Sequence, residues 1–591
     1  MSDETSTIDT ISFERLPEKR VSGPRLLFGY LGLFLLFVGG MNALPLLTLT
    51  VYHGNAYAWW YFLLPAALSA GLGAGLYFGL LYRKPQGRLS KVENMTLLLL
   101  VWLLAIFVSG IPYWLWGRFG GMNAVKDVVV DADGLSHVVS AFEPGGKSHA
   151  YYYFSQAMYE STSGFSSSGL TLLPTVTLPE GTYSYNLGLF RYATEAYSEF
   201  VPNVEIFFFH RALMSFTGGI GLVLILASAM NSRSGFQLYL LEGHNDRLLP
   251  NLLQSARMIF GMYCVYILLG VLLLCLEGVT FFDALCYSMA AVSTGGFGTH
   301  ATSVAFFTRA LGTTRGILVE LTVTLLMILG MISFIVHYFV LTRKFRKAFR
   351  HYEFYVFLTI FVLFYPMMVY GLYQKYQNVG DAFRFGLFEF FSYLSTSGFS
   401  SVDSYLPVVD AQLYGPNVLG SIPAPAFFAM IILPILGGFT GSTSGGLKMN
   451  RVGDLFLGLH WSLKDAVERK EVITTHYTEK YGEKVPTDKD DLTDAFTYLV
   501  LYLSTIFLLA SVLMLTGYDP QLSIFEVSSA LAGLGESVGI GLSASLSGQF
   551  WVLWVQIIAM FLGRLEIRIV IYFFKDLTRS GRNFRNIYVR R

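Results

Sequence analysis

Apolar runs long enough to cross the ~30 Å hydrocarbon of a bilayer recur at 26–52, 56–82, 94–117, 206–231, 252–276, 316–342, 353–373, 424–458, 493–516 and 549–574. Shorter apolar–aromatic pieces lie between several of them, at 150–163, 281–292, 383–395 and 522–533. Each is too short to cross, and each runs at once into small and hydroxyl residues with glycine. The unit this pattern predicts is span, short re-entrant helix, glycine-containing loop, span, repeated four times. The first two runs stand outside the repeats. The expected fold is an all-α polytopic membrane protein of four span–short helix–span repeats, plus two extra N-terminal spans. The boundaries fall at 1–25 (N-terminus), 26–93 (extra span pair), 94–249, 250–352, 353–490 (third repeat, second span broken) and 491–591 (fourth repeat and basic tail).

The polar stretches set an orientation. Arg83, Lys84, Arg88 and Lys91 fill one short loop, and Arg343, Lys344, Arg346, Lys347 and Arg350 another. The tail carries Lys575, Arg579, Arg582, Arg585, Arg590 and Arg591, whereas the long loop 118–150 has only Arg118, Lys126 and Lys147. The positive-inside rule then places both termini in the cytoplasm with ten crossings of the cell (inner) membrane. Residues 1–25 are polar and of mixed sign, and the run after them is too long for a secretory signal. Trp59-Trp60-Tyr61 and Tyr113-Trp114-Leu115-Trp116 suit interfacial belts.

Composition agrees. Of 591 residues, 53% are hydrophobic and 14% charged, against about 25% charged in a soluble domain. Lys+Arg (41) balances Asp+Glu (40), which excludes a nucleic-acid binder resting on a basic surface. Cys264, Cys275 and Cys286 show no metal or disulfide spacing. No nucleophile–base or paired-carboxylate set in the spans suggests an enzyme, and no organic cofactor is expected. Glycine, at 58 residues, exceeds the usual share of about 7%; its placement is the informative part.

The short pieces end in Glu160-Ser161-Thr162-Ser163-Gly164-Phe165-Ser166-Ser167-Ser168-Gly169-Leu170, Val292-Ser293-Thr294-Gly295-Gly296-Phe297, Leu394-Ser395-Thr396-Ser397-Gly398-Phe399-Ser400 and Gly535-Glu536-Ser537-Val538-Gly539-Ile540-Gly541. The key glycines are taken as Gly169, Gly295, Gly398 and Gly539, which are 126, 103 and 141 residues apart. Ser-Thr-Ser-Gly-Phe at both 161–165 and 395–399 would equate Gly164 with Gly398 instead. Glu160 and Glu389, each nine residues before its glycine, favour Gly169. Irregular backbone at membrane depth must be buried or line water. Four such loops on one axis offer rings of carbonyls that replace the hydration shell of a monovalent cation, and glycine permits the backbone angles needed to aim them.

These residues resemble the Trk/Ktr/HKT superfamily of potassium transporters, and within it the TrkH-like members. Supporting stretches are Ser215-Phe216-Thr217-Gly218-Gly219-Ile220-Gly221, Gly437-Gly438-Phe439-Thr440-Gly441-Ser442-Thr443-Ser444-Gly445-Gly446-Leu447-Lys448 and Leu562-Gly563-Arg564-Leu565-Glu566. The resemblance covers most of the chain, and the extra N-terminal pair is similar to that of TrkH-type proteins. It implies four pseudo-symmetric span–pore helix–span repeats around one ion pore, in the pore-forming subunit of a potassium uptake system in the bilayer, a homodimer gated by a cytoplasmic nucleotide-binding ring, with K+ as the permeant ion held by backbone carbonyls. The implied filter is Ser167, Ser168, Gly169, Leu170; Ser293, Thr294, Gly295, Gly296; Thr396, Ser397, Gly398, Phe399; and Ser537, Val538, Gly539, Ile540. Loops 232–250, 343–352 and 459–491 would dock the ring. The fourth loop departs from the family's Asn-x-Gly-Pro-Gly, with Ser537 for Asn, Ile540 for Pro and an unusual Glu536 beside them. A Na+-permeable or Na+-coupled relative, or a non-conducting sensor or scaffold on the same fold, are the alternatives.

The stretch 437–446 breaks a span. The family uses it as a gate, which implies Gly437, Gly438, Gly441, Ser442, Thr443, Gly445, Gly446 and Lys448 as gate-loop residues; a helix kink or packing site is the plainer reading. A P-loop fails on spacing, since after Gly441 the pattern needs Gly-Lys-Ser/Thr at 446–448 and the chain has Gly446-Leu447-Lys448, followed by Met449. Arg564 and Glu566 are intramembrane charges. In the family the matching arginine is a barrier in the pathway; a pairing of Arg564 with Glu566 or with backbone is the structural alternative. Lys448 and Arg451 either touch the gate or mark the membrane boundary. Asp283 and Glu526 are expected near pore-helix starts, as capping carboxylates.

Overall fold

The computed structural model describes residues 21–119, 126–130, 136–140, 153–172, 175–177, 184–186, 205–221, 230, 252–300, 303–402, 422–467, 476–487 and 489–575. The loop 232–250, expected to dock a partner, and the tail beyond 575 lie outside the described residues.

Helix α1 (Pro24–Ala43) starts with proline in its first turn and packs along α2 (Trp59–Leu76). Gly32 and Gly73 face each other there. A methyl on either would meet the other's carbonyl at 2.7–2.8 Å, so these glycines serve close helix crossing. Helix α3 (Lys91–Phe119) opens the first repeat and is followed by α4 (Phe154–Ser166) and α5 (Glu205–Ile220). Two short hairpins, β1–β2 (Lys126–Val130, Ser136–Ser140) and β3–β4 (Thr175–Thr177, Ser184–Asn186), fall in the connections. Tyr113 and Trp116, expected at an interface, are instead 1% exposed, and Trp116 stacks on Phe207 with centroids 4.3 Å apart. The bundle core outcompetes the belt.

The second repeat holds α6 (Leu252–Glu277), α7 (Phe281–Val292), α8 (Ala305–Leu311), α9 (Thr313–Met331), α10 (Phe334–Leu341) and α11 (Phe345–Phe349). The third holds α12 (Tyr352–Tyr376), α13 (Val379–Leu394), α14 (Ala424–Leu436) and α15 (Met449–Val467), then hairpin β5–β6 (Tyr477–Lys480, Glu483–Pro486). The fourth holds α16 (Lys489–Met514), α17 (Pro520–Ala532), α18 (Ile540–Ser547) and α19 (Phe550–Arg564), after which helix resumes at 567–575.

Among the described residues, seven helices are long and apolar enough to cross a membrane, and α7, α14 and α19 are shorter apolar helices. The expected continuous spans 316–342 and 549–574 are broken, at 332–333 and 565–566. The first break has a visible cause. Phe439 N and Thr443 N donate to Met331 O and Gly330 O, at 3.1 and 3.2 Å, and Phe334 N donates to Gly441 O at 3.1 Å. The glycine-rich stretch of the third repeat thus pairs with the open helix end of the second, and backbone that leaves the helix ladder stays satisfied.

Candidate functional site

The C-termini of α4, α7, α13 and α17 end alike. Ser167, Thr294, Thr396 and Gly533 take positive φ, at 54°, 51°, 57° and 73°. The next amide closes back onto the helix: Ser168 N to Ser163 O, Gly295 N to Ala290 O, Ser397 N to Ser392 O and Leu534 N to Ser529 O, all at 2.8–2.9 Å. This is the Schellman closure. The residue after it is Gly169, Gly296, Gly398 or Gly535, again at positive φ of 79°, 63°, 72° and 88°.

These four glycines form a ring. A methyl on Gly169 would meet Gly295 O, one on Gly296 would meet Ser397 O, one on Gly398 would meet Leu534 O, and one on Gly535 would meet Ser168 O. Each glycine is therefore backed by the carbonyl of the residue before the next glycine, and the series returns to its start. This corrects the expected register at two places. Gly295 stands one residue early and supplies a carbonyl to the ring, while Gly296 occupies the ring position. Gly539 stands four residues late, at the N-cap of α18, and Ile540 is the first residue of that helix. Ser537 and Val538 follow the ring rather than forming it.

Buried carboxylates hold the chain just after the ring. Glu160 accepts from Thr171 Oγ1 at 3.2 Å and Leu172 N at 3.4 Å. Glu389 accepts from Ser401 N at 3.0 Å, and Glu526 from Ser537 Oγ at 2.8 Å and Val538 N at 2.9 Å. Each bonds the second and third residues past its glycine, with Ser400 Oγ donating to Glu389 at 3.3 Å, and each stands nine residues before it. Glu526 therefore lies within α17 rather than capping it. In the second repeat Tyr287 has the equivalent place, and Asp283, one helical turn earlier, reaches Thr299 Oγ1 at 2.8 Å. Asp283 also sits in the first turn of α7, as expected, with Thr280 as N-cap.

Beneath the ring is a cavity walled by the ends of three of these short helices, at Ser166, Ser167, Thr396 and Gly533. Its other side is the stretch Thr440–Gly446 with Lys448, Arg451, Arg564 and Glu566. Helix C-termini carry partial negative charge, so this end of the cavity favours a cation. The opposite wall is cationic. Lys448 Nζ donates to Ser444 O, and Arg564 donates to Gly218 O and, at 3.4 Å, to Thr443 O. Arg451 takes Glu566 in a two-pronged pair at 2.8 and 3.0 Å and lies over the Tyr498 ring at 4.0 Å. Glu566 thus pairs with Arg451, and Arg564 bonds to the carbonyls of two other repeats. Both Lys448 and Arg451 belong to this cavity.

The loop itself is knit by hydroxyls. Ser442 Oγ donates to Phe439 O at 2.5 Å and lies 2.9 Å from Ser444 Oγ. Thr443 Oγ1 donates toward Gly330 O (2.9 Å) and Val292 O (3.2 Å), and Gly445 N donates to Thr396 Oγ1 at 2.7 Å. Gly437, Gly441 and Gly446 have positive φ, of 71°, 70° and 76°. A side chain at Gly438 would strike Ser444 and Met331.

Two intramembrane ion pairs carried no motif: Arg211 with Glu160 at 2.9 Å and Arg384 with Glu320 at 2.5 Å. The signal for the fourth loop was present, since Glu526 precedes Gly535 by the same nine residues that separate Glu160 from Gly169 and Glu389 from Gly398.

Known proteins agree with this architecture. Residues 102–586 match the family model described as TrkH, cation transport protein. The chain is 25% identical over 568 residues to a cation transporter of Methanocaldococcus jannaschii, covering 95% of this chain and 97% of that one. It is 27% identical over 459 residues to the Trk system potassium uptake protein TrkG of Escherichia coli, covering 74% and 82%. In structure it is similar to the potassium transporter TrkH from Vibrio parahaemolyticus, with a TM-score of 0.67 and 20% identity, covering 93% and 98% of the two chains.

Proposed function

Because the chain belongs to the TrkH family of cation transport proteins, a family of multi-pass Trk-type potassium transporters, we propose that it is the pore-forming subunit of a potassium uptake system. The observation that carries this reading is the closed ring of Gly169, Gly296, Gly398 and Gly535 against four carbonyls, above a cavity faced by helix C-termini. The filter is then Ser167–Gly169, Thr294–Gly296, Thr396–Gly398 and Gly533–Gly535. Carbonyls there stand in for the water around K+. The carboxylate braces behind the loops keep the spacing from collapsing onto a smaller ion.

Thr440–Lys448 is the gate, and Arg564 is a barrier to cations crossing the cavity. The repeats run 94–249, 250–352, 353–490 and 491–591, with both termini on the cytoplasmic side of the cell membrane. A second copy of the chain covers α15, where exposed Phe456, Leu459, Leu463 and Val467 form one apolar stripe. A cytoplasmic nucleotide-binding ring acts on the gate through 343–352 and 459–491. Hairpin β5–β6 in the latter supports this. Tyr481 packs on His351 with ring centroids 4.4 Å apart, and Glu353, two residues on, accepts from Thr440 N of the gate at 3.4 Å.

The test is uptake of radioactive Rb+ and Na+ by proteoliposomes holding the full chain, with and without its regulatory partner. Rb+ uptake well above Na+ uptake is expected. Equal rates would remove K+ selectivity, and no flux of either ion under any condition would remove transport. Gly169→Ser is expected to relax the Rb+ preference.

A further inference from the structure

In three of the repeats the span after the ring loop leans on its own short helix at one fixed point. A methyl on Gly218 would meet Phe165 O, one on Gly330 would meet Val292 O, and one on Gly563 would meet Leu531 O. Phe165, Val292 and Leu531 each stand two residues before the positive-φ residue that closes their helix, Ser167, Thr294 or Gly533. Gly218, Gly330 and Gly563 are therefore equivalent places in α5, α9 and α19. Seven residues before them, two helical turns, stand Arg211, Val323 and Gln556.

What stands there follows what the short helix offers. In the first repeat Arg211 pairs with the brace Glu160 at 2.9 Å. The second repeat has Tyr287 in place of a carboxylate, and Val323 is apolar and buried. In the fourth, Gln556 Nε2 donates to the brace Glu526 at 3.1 Å. Gln556 also does what Arg211 does not. Its Oε1 accepts from Tyr159 Oη at 2.6 Å, on α4 of the first repeat. A carboxylate only accepts, so the NH2 end must face Glu526 and the amide oxygen must face the phenol. The fourth loop closes over this bond: a methyl on Gly541 would meet Gln556 Oε1 at 2.8 Å and Tyr159 Oη at 3.0 Å. Glu526 in turn holds Ser537 and Val538, just past Gly535. One hydrogen-bonded line thus runs from the fourth ring loop through Glu526, Gln556 and Tyr159 to the helix that carries the first. Glu526 and Gln556 are 0% exposed and Tyr159 1%, so water cannot replace a lost partner.

We propose that Gln556 is a positioning residue that sets the ring's preference between K+ and Na+. It acts through Glu526. Without the Gln556 donor that carboxylate can turn, the fourth loop loosens, and its carbonyls can close on the smaller ion. The bond to Tyr159 fixes the fourth loop against the first. This inference rests on the reading of the ring as a potassium filter.

The test is Rb+ and Na+ uptake by proteoliposomes holding the full chain. Gln556→Met keeps the length and removes both polar ends. Its Rb+/Na+ uptake ratio is expected to fall about 5-fold, the scale of one hydrogen bond. Tyr159→Phe removes only the far bond, and a fall of about 2-fold is expected. Adding Gln556→Met to Glu526→Gln is expected to lower the ratio no further, because the two act as one unit. An unchanged ratio in Gln556→Met overturns the proposal, even if the unfolding temperature falls, since that is a merely structural role. A further fall in the double variant also overturns it. Where Gln556→Met does not fold, an unchanged ratio in Tyr159→Phe does the same. A second readout needs no transport: the unfolding midpoint of the purified protein as choline is exchanged for K+ or for Na+. The wild type is expected to gain about 3 °C more from K+, and Gln556→Met to lose the difference. If no preparation takes up Rb+ but this difference is present in the wild type and lost in Gln556→Met, the transport reading falls and the role of Gln556 stands. A wild type that separates the two ions in neither readout overturns both.

Discussion

Two regions put glycine- and hydroxyl-rich backbone where helices would be expected, and they are held in different proportions by main chain and side chain. The ring loops are locked by main chain. Each has a Schellman closure, a glycine at positive φ against a neighbouring carbonyl, and a carboxylate gripping the residues beyond it. The stretch 437–448 also has main-chain bonds, from Phe439 N, Thr443 N, Leu447 N and Lys448 N, but adds to them a side-chain layer: the hydroxyls of Ser442, Thr443 and Thr396, and the cations Lys448 and Arg564. A hydroxyl hydrogen bond contributes roughly 1 kcal/mol net and can be exchanged for one to water. A carbonyl in van der Waals contact with a glycine has nothing to exchange for. The same composition therefore serves a main-chain-locked ring in one place and, if 437–448 is the gate proposed above, a loop whose side-chain bonds water can replace in the other.

The sharpest way to break this contrast is a methyl in the ring. Gly296→Ala places Cβ on the Ser397 carbonyl at a φ of 63°. A loss of Rb+ flux of about 100-fold is expected, from backbone strain with no rotamer to relieve it. Gly295→Ala meets the Ser215 hydroxyl first, a side chain that can turn away, and a loss under about 10-fold is expected. Equal losses would undo the register in which Gly296, not Gly295, stands in the ring.

A smaller effect is expected below the ring. Arg564 donates to carbonyls of the first and third repeats across the cavity. Arg564→Gln keeps a donor and removes the charge. Cation flux is expected to rise about 10-fold as the electrostatic barrier falls, read as Rb+ uptake at equal protein density. Unchanged flux with a lowered unfolding temperature would make Arg564 a strut between repeats and not a barrier.

Much of this was legible in the sequence. Helix α7 spans 281–292 as expected from its apolar run, and the broken span at 437–446 follows from its composition. The ring register was harder, because string similarity pulls against geometry. Val538-Gly539-Ile540-Gly541 looks like the family's fourth loop, yet Gly535 is what the Schellman closure at Leu534 places in line. Only the nine-residue spacing from Glu526 records that in sequence. The break at Ile332–Ser333 had no signal at all. Its cause is hydrogen bonds supplied by Phe439 and Thr443 from another repeat, and such long-range partners leave no local mark. The pairing of Glu566 with Arg451 instead of Arg564 is likewise tertiary, since the two residues come from different repeats 115 positions apart.

The finest test of the contrast is Thr443→Val, which keeps shape and removes one hydroxyl. That hydroxyl lies 2.9 Å from Gly330 O, 3.2 Å from Val292 O and 3.2 Å from Thr294 Oγ1. Gly330 O keeps the Thr443 amide as a donor, so no carbonyl of the broken helix end is left wholly bare and the cost stays near 1 kcal/mol. If 437–448 is the gate, losing a bond of that size should open it more often, and Rb+ flux is expected to rise about 3-fold, below the roughly 5-fold that 1 kcal/mol would give if it all went into opening. The Rb+/Na+ ratio is expected to stay fixed, because Thr294 retains its bond to Ser293 O at 2.8 Å and the ring's backbone closures do not involve Thr443. A shifted ratio would mean that the ring depends on the gate's hydroxyls, and that the two regions act as one element.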